Sequence, residues 1–119
     1  MRDRVIVKPT LAKKHKGRFP KHIKLAGMKL PLHMCDKIDV VSEGEEGLAH
    51  GAYNGEQGWI FLDNKGSDQF TQETLMHECV HAIDALYKLD LSEAQVRYLS
   101  MGINNLIRSN PIFRRQMDE

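Results

Sequence analysis

Hydrophobic positions along the chain change their period once, dividing it into an alternating first half and a helical second half. From His22 the pattern alternates. Ile23 and Leu25 flank Lys24, Ala26-Gly27 turns the chain, and Met28, Leu30 and Leu32 alternate again, which predicts a β-hairpin. Pro31 withholds a backbone donor, so the second strand is expected at an edge or beside a bulge, with Ile38-Asp39-Val40-Val41 as its continuation. The acidic, glycine-bearing residues 42–47 read as a solvated loop. Asn54-Gly55 predicts a type I′ turn between a strand over residues 48–53 and one over residues 57–62. The run Trp59-Ile60-Phe61-Leu62 is apolar enough for a strand buried on both faces.

Residues 68–88 contain no glycine or proline, and Phe70, Leu75, Cys79, Ile83 and Leu86 recur at helical spacing. A second helix is expected from about residue 90 to residue 109, with Ala94, Tyr98, Leu99, Ile103 and Leu106 as its stripe and Asn110-Pro111 as its stop. Residues 1–20 combine the short run Val5-Ile6-Val7 with two prolines and the cluster Lys13-Lys14-His15-Lys16, which predicts a basic, loosely attached arm. The rest, residues 21–119, is expected to be one α+β domain: a small, twisted, mainly antiparallel sheet packed on the first helix, with the second helix behind.

Composition agrees with this. The 119 residues suit a single domain, and 41% hydrophobic with 28% charged residues is ordinary for a globular chain. No stretch approaches a membrane span, and the N-terminal residues lack the apolar core of a secretory signal, so a cytoplasmic protein is expected. Cys35 and Cys79 have no metal-knuckle or disulfide spacing and read as free thiols, Cys79 as a packing residue. The net charge of +1 conceals an asymmetry, because residues 1–34 carry ten Lys/Arg against one acid, Asp3. Such a segment either contacts nucleic acid or folds onto the acidic remainder of its own chain. No basic-aromatic interleaving accompanies it, which favours the second reading.

The candidate chemistry lies in the first helix, at His77-Glu78-Cys79-Val80-His81. Residues four apart share a helix face, so the imidazoles of His77 and His81 can converge on one ion, and a neutral nitrogen lone pair is what zinc requires. Glu78 points to the side of that face, where its carboxylate can act as general base toward metal-activated water without occupying the metal. The plain alternative is a pair of surface histidines, but the motif falls mid-helix directly after a predicted hairpin.

A third protein ligand is needed. No histidine follows His81, and the six-residue offset used by one class of zinc peptidases falls on Tyr87, which excludes that class. Asp84, Asp90 and Glu93 remain. Asp84 shares the helix face of the histidines, and three ligands from successive turns would strain one site, so a role in orienting an imidazole suits it better. Glu93 approaches from the next helix and is the favoured ligand. Against it stands Asp90-Leu91-Ser92-Glu93, which matches a capping box in which Glu93 bonds back to its own helix. An antiparallel return from Lys88 must also climb about 10 Å to reach the level of His81. Tyr53, Tyr87 and Tyr98 are candidate donors to an oxyanion, and residues 48–53 a candidate edge for an extended peptide.

Taken with Ile23–Leu30, Gly51-Ala52-Tyr53 and Trp59–Leu62, the stretch Thr74-Leu75-Met76-His77-Glu78-Cys79-Val80-His81-Ala82-Ile83 and the later Leu91-Ser92-Glu93 resemble small phage and prophage zinc peptidase-like proteins. These are similar to the ImmA/IrrE and SprT-like metallopeptidases. The resemblance covers about residues 22–110. It implies a minimal zincin with a glutamate ligand on its second helix, Zn2+ held by His77, His81 and Glu93, a protein or peptide substrate, and the host cytoplasm if phage-encoded. The SprT-like branch uses a third histidine that this chain lacks.

Overall fold

The computed structural model describes residues 5–42 and 45–114. Its strands are β1 (Val5–Leu11), β2 (His22–Leu25), β3 (Met28–Ser42), β4 (Glu45–Leu48), β5 (Gly51–Asn54) and β6 (Trp59–Asp63). Two helices follow, α1 (Asp68–Tyr87) and α2 (Glu93–Ser109), then a 3₁₀ turn, Pro111–Phe113.

The 15-residue β3 is the spine of the sheet, and it changes partners along its length. Its first residues pair with β2, Leu32 to Cys35 run parallel to β6, and Cys35 to Ser42 run antiparallel to β1. β4 pairs with its last residues and β5 with β6, giving a mixed, curled sheet in the order β1-β3-β6-β5. The predicted hairpin forms, turned by Ala26 at φ 51° and Gly27 at φ 80°, the paired left-handed conformations of a type I′ turn. Pro31 stands opposite His22, one residue before the pairing to β6 begins at Leu32, so β3 is locally an edge where its missing donor falls.

Three expectations are corrected. Residues 5–20 are not a loose arm: residues 5–11 pair with β3, where β-branched Ile6 and Val7 favour a strand, and Pro9 is tolerated because β1 is an edge strand. The stretch 42–47 is not simply a loop, since Ser42 ends β3 and Glu45 opens β4; residues 43 and 44 lie outside the described residues. Asn54-Gly55 is not a two-residue turn. Asn54 pairs with Trp59 across a four-residue loop closed by Gly58 at φ 71°. The Asn54 side chain drives this, its Oδ1 accepting from the backbone of Glu56 (3.0 Å) and Gln57 (3.2 Å) and thereby competing with the tighter turn.

Alternation along β6 sends its residues to both faces. Ile60 and Leu62 join Leu30, Leu32, Met34 and Phe19 beneath Ala82 of α1, with Leu75 and Cys79 packed alongside. Phe61 joins Cys35, Ile38 and Ala52 on the opposite face, backed by Val7 and Trp59. The expected doubly buried strand is therefore present. The basic connection between β1 and β2 crosses the start of α1. There Lys16 Nζ donates to Gly66 O (3.3 Å) and Thr71 Oγ1 (3.1 Å), and Arg18 pairs with Asp68 at 3.0 Å. Among the described residues, no helix is long and apolar enough to cross a membrane.

Phe19 discriminates between a docked segment and a loose one. Only 9% exposed in the cluster under α1, its truncation in Phe19→Ala is expected to lower unfolding free energy by about 3 kcal/mol in urea titration. An unattached arm would leave the midpoint unchanged.

Candidate metal centre

The helix carrying the histidines starts at Ser67, whose Oγ accepts from Phe70 N at 3.1 Å, and runs without interruption to Tyr87. Continuous helical geometry places His77 and His81 one turn apart, with ring centroids 5.0 Å apart. Both side chains are about three-quarters buried, at 23% and 24% exposure. Burial lowers the His81 pKa from its ordinary value against the upward pull of Glu93, which favours the neutral imidazole a metal ligand must be.

The third group arrives from α2. Lys88 (φ 53°) and Asp90 (φ 57°) both take left-handed conformations, so the chain reverses within a few residues. Asp84 secures the reversal: its backbone oxygen accepts from Leu89 N (3.1 Å) and its Oδ1 from Leu91 N (3.1 Å). α2 is then capped by Ser92, whose Oγ accepts from Gln95 N (3.1 Å) while Gln95 Oε1 accepts from Ser92 N (2.8 Å). The capping box is thus Ser92 with Gln95, two residues later than the Asp90–Glu93 box expected from sequence. Glu93 is released from capping. Its Oε1 lies 2.7 Å from His77 Nε2 and its Oε2 3.3 Å from His81 Nε2, despite the climb that helix arithmetic requires.

His77, His81 and Glu93 can therefore offer one ligand atom each within 4.8 Å of one another. Zinc bonds of about 2.0–2.1 Å in a tetrahedron set donor atoms about 3.3 Å apart, so two imidazole nitrogens and a carboxylate oxygen fit such an ion with small movements. Asp84 and Asp90, the other candidates, are not in this group. Asp84 is buried and holds the interhelical turn, positioning Glu93 through the backbone.

Glu78 stands apart from this group. It is 6% exposed and lies against β5, where Gly51 makes the approach possible. A Cβ at Gly51 would come within 2.6 Å of Thr74 Cγ2, 3.1 Å of Glu78 Cγ and 3.2 Å of Glu78 Oε2. Burial first, and the neighbouring Glu93 charge second, raise the Glu78 pKa to about 8. Cys79 packs into the core beneath α1, and burial pushes its thiol, like that of Cys35, up to about 11, so both are unreactive free thiols at neutral pH.

An open groove of about 370 Å³ adjoins His77, with the His77 face of α1 as its floor, His50 and Gly51 on one side, and Arg97, Ser100 and Met101 on the other. None of the proposed tyrosines lines it, and Tyr87 and Tyr98 are exposed at 61% and 68%. Sequence reasoning missed His50 and Arg97, and used Gly51 for the resemblance without giving it a role. His50 and Gly51 meet α1 only through sheet topology and leave no local signal, whereas Arg97 was findable one helical turn beyond Glu93. No family model, curated protein or solved structure matches the chain.

The Glu78 pKa makes metal-free stability depend on pH. A carboxyl raised in the fold from 4.5 to about 8 contributes stability that is fully present below pH 4.5 and lost as pH rises through 8. Chelator-treated Glu78→Gln is expected to match wild type at pH 4 and to exceed it by at least about 1 kcal/mol at pH 9 in urea titration. Parity at both pH values would place Glu78 in contact with water.

Proposed function

We propose that the chain is a zinc-dependent peptidase of the minimal zincin type, similar to the small phage peptidase-like proteins. One observation carries this reading: Glu93 leaves its own helix cap to meet both histidines of the HExxH motif, while Glu78 stays outside that group, buried beside the sheet. A structural zinc site closes itself with four protein ligands, whereas three ligands with a carboxylate held nearby match a site arranged for hydrolysis.

His77, His81 and Glu93 would hold zinc, which when bound supplies Lewis acidity and eases ionisation of water near neutral pH. Glu78 then has a defined task. Buried beside β5 with the Glu93 charge nearby, its carboxylate would accept a proton from the attacking water and return it to the leaving amine once a bound cation favours its ionised form. Among the described residues β5 pairs with β6 alone, so its other edge can take an extended peptide by main-chain pairing, beside Glu78 and Gly51.

Wild type is expected to bind one equivalent of zinc by metal analysis and to cleave unfolded protein substrates. Glu78→Gln should keep the metal and lose at least about 100-fold in rate. His77→Ala and His81→Ala should lose the metal itself. A wild type without zinc affinity, or a Glu78→Gln protein that cleaves normally, would contradict the reading.

A second reading concerns the basic segment. Lys24 and Lys29 face each other across the β2–β3 hairpin, and together with Lys13, Lys14 and Lys21 they are exposed without an ion pair among the described residues. Like charges placed directly opposite are unfavourable unless an anion neutralises them, which supports contact with nucleic-acid phosphates by a zinc-stabilised, non-catalytic protein. Binding to a DNA duplex should then weaken about tenfold or more between 50 and 200 mM salt. Affinity independent of salt, or absent, would remove this alternative.

A further inference from the structure

The groove beside His77 carries a cation, Arg97, that no ion pair neutralises among the described residues. Arg97 lies on α2 one turn after Glu93, the spacing at which a glutamate and an arginine ordinarily pair. That pair is not made. The Glu93 carboxylate is committed to His77 and His81, at 2.7 and 3.3 Å, and Arg97 has no side-chain hydrogen bond or ion pair among the described residues. Of the two acids lining the groove, Glu73 is engaged by Arg108 Nη1 at 3.4 Å and Glu78 is buried against β5. Around Arg97 the walls are apolar and open, with Phe70 41% and Met101 59% exposed.

The floor of this groove is one face of α1: Phe70, Glu73, Thr74 and His77 are spaced three and four residues apart and lead toward the three candidate ligands. A peptide on the free edge of β5 would pass Gly51 and lay the residues next to the scissile bond against Arg97. Resting on the peptidase reading above, we propose that Arg97 is a specificity-determining residue that recognises a carboxylate of the substrate on one side of the scissile bond. The carboxylate belongs either to an acidic side chain or to the peptide's own C-terminus. A guanidinium at the edge of a groove forms bidentate, charge-assisted hydrogen bonds to such a group, and Met101 and Phe70 line the same groove.

Binding separates this idea from turnover. Zinc-loaded Glu78→Gln protein is titrated by fluorescence anisotropy with three dye-labelled peptides of otherwise equal sequence: one with glutamate and an amidated C-terminus, one with glutamine and a free C-terminus, one with glutamine and an amidated C-terminus. At least one carboxylate-bearing peptide should bind about tenfold or more tightly than the neutral one, and which of the two does so identifies the source. Adding Arg97→Gln should abolish the preference, and Arg97→Glu should turn it toward a lysine-bearing peptide. Circular dichroism of these variants should match the parent, since the side chain is exposed. Equal affinity for all three peptides, including none for any, overturns the proposal, as does a preference that survives Arg97→Gln. Cleavage of the same peptides by wild type tests the peptidase reading independently.

Discussion

The contact between the Glu93 carboxylate and the imidazoles of His77 and His81 is the constraint on which the rest of the functional half of the molecule depends. Two histidines one turn apart are common on helices. A carboxylate brought to both of them from a different helix requires that its own helix start be satisfied by something else. Ser92 and Gln95 meet that requirement, closing the α2 N-terminus with two reciprocal hydrogen bonds. The left-handed turn at Lys88 and Asp90, tied to Asp84, sets where α2 begins. Negative charge at the first residue of α2 is also favourable toward its dipole, so Glu93 suits the helix end even though it does not cap it.

The sheet contributes the other half of the arrangement. β3 is long enough to hold β6 in the centre, which leaves β5 at the edge nearest α1. Gly51 then allows α1 to approach until Glu78 is almost wholly removed from water. Burial, and then the Glu93 charge, raise the cost of ionising Glu78, and a divalent cation between the histidines and Glu93 would relieve it. A buried acid beside two largely buried histidines and a second carboxylate is a costly cluster, and a bound metal would offset that cost.

Much of this was legible in the chain itself. The period-2 pattern around Ile23–Leu32, the apolar run at Trp59–Leu62 and the uninterrupted periodicity after residue 68 correspond to observed elements, and the side chains of His77, His81 and Glu93 come together while Glu78 lies apart. What was not legible involves competition between local signals or contacts distant in sequence. Two overlapping capping boxes were available around Ser92, and spacing alone favoured neither. Asn54-Gly55 satisfies a type I′ turn, yet the Asn54 side chain supports a longer loop equally well. Val5-Ile6-Val7 looked too short and too close to prolines to be a strand, because its partner lies some thirty residues away in β3. His50 and Gly51 gain their meaning only when β5 is set against α1.

The most direct measurement is zinc K-edge X-ray absorption on the metal-loaded protein, comparing wild type with Glu93→Ala. Two imidazole nitrogens and a carboxylate oxygen at about 2.0–2.1 Å are predicted in wild type, with loss of the carboxylate contribution in the variant. An identical spectrum from both proteins would contradict the central claim, because it would leave Glu93 as a hydrogen-bonding neighbour of two surface histidines.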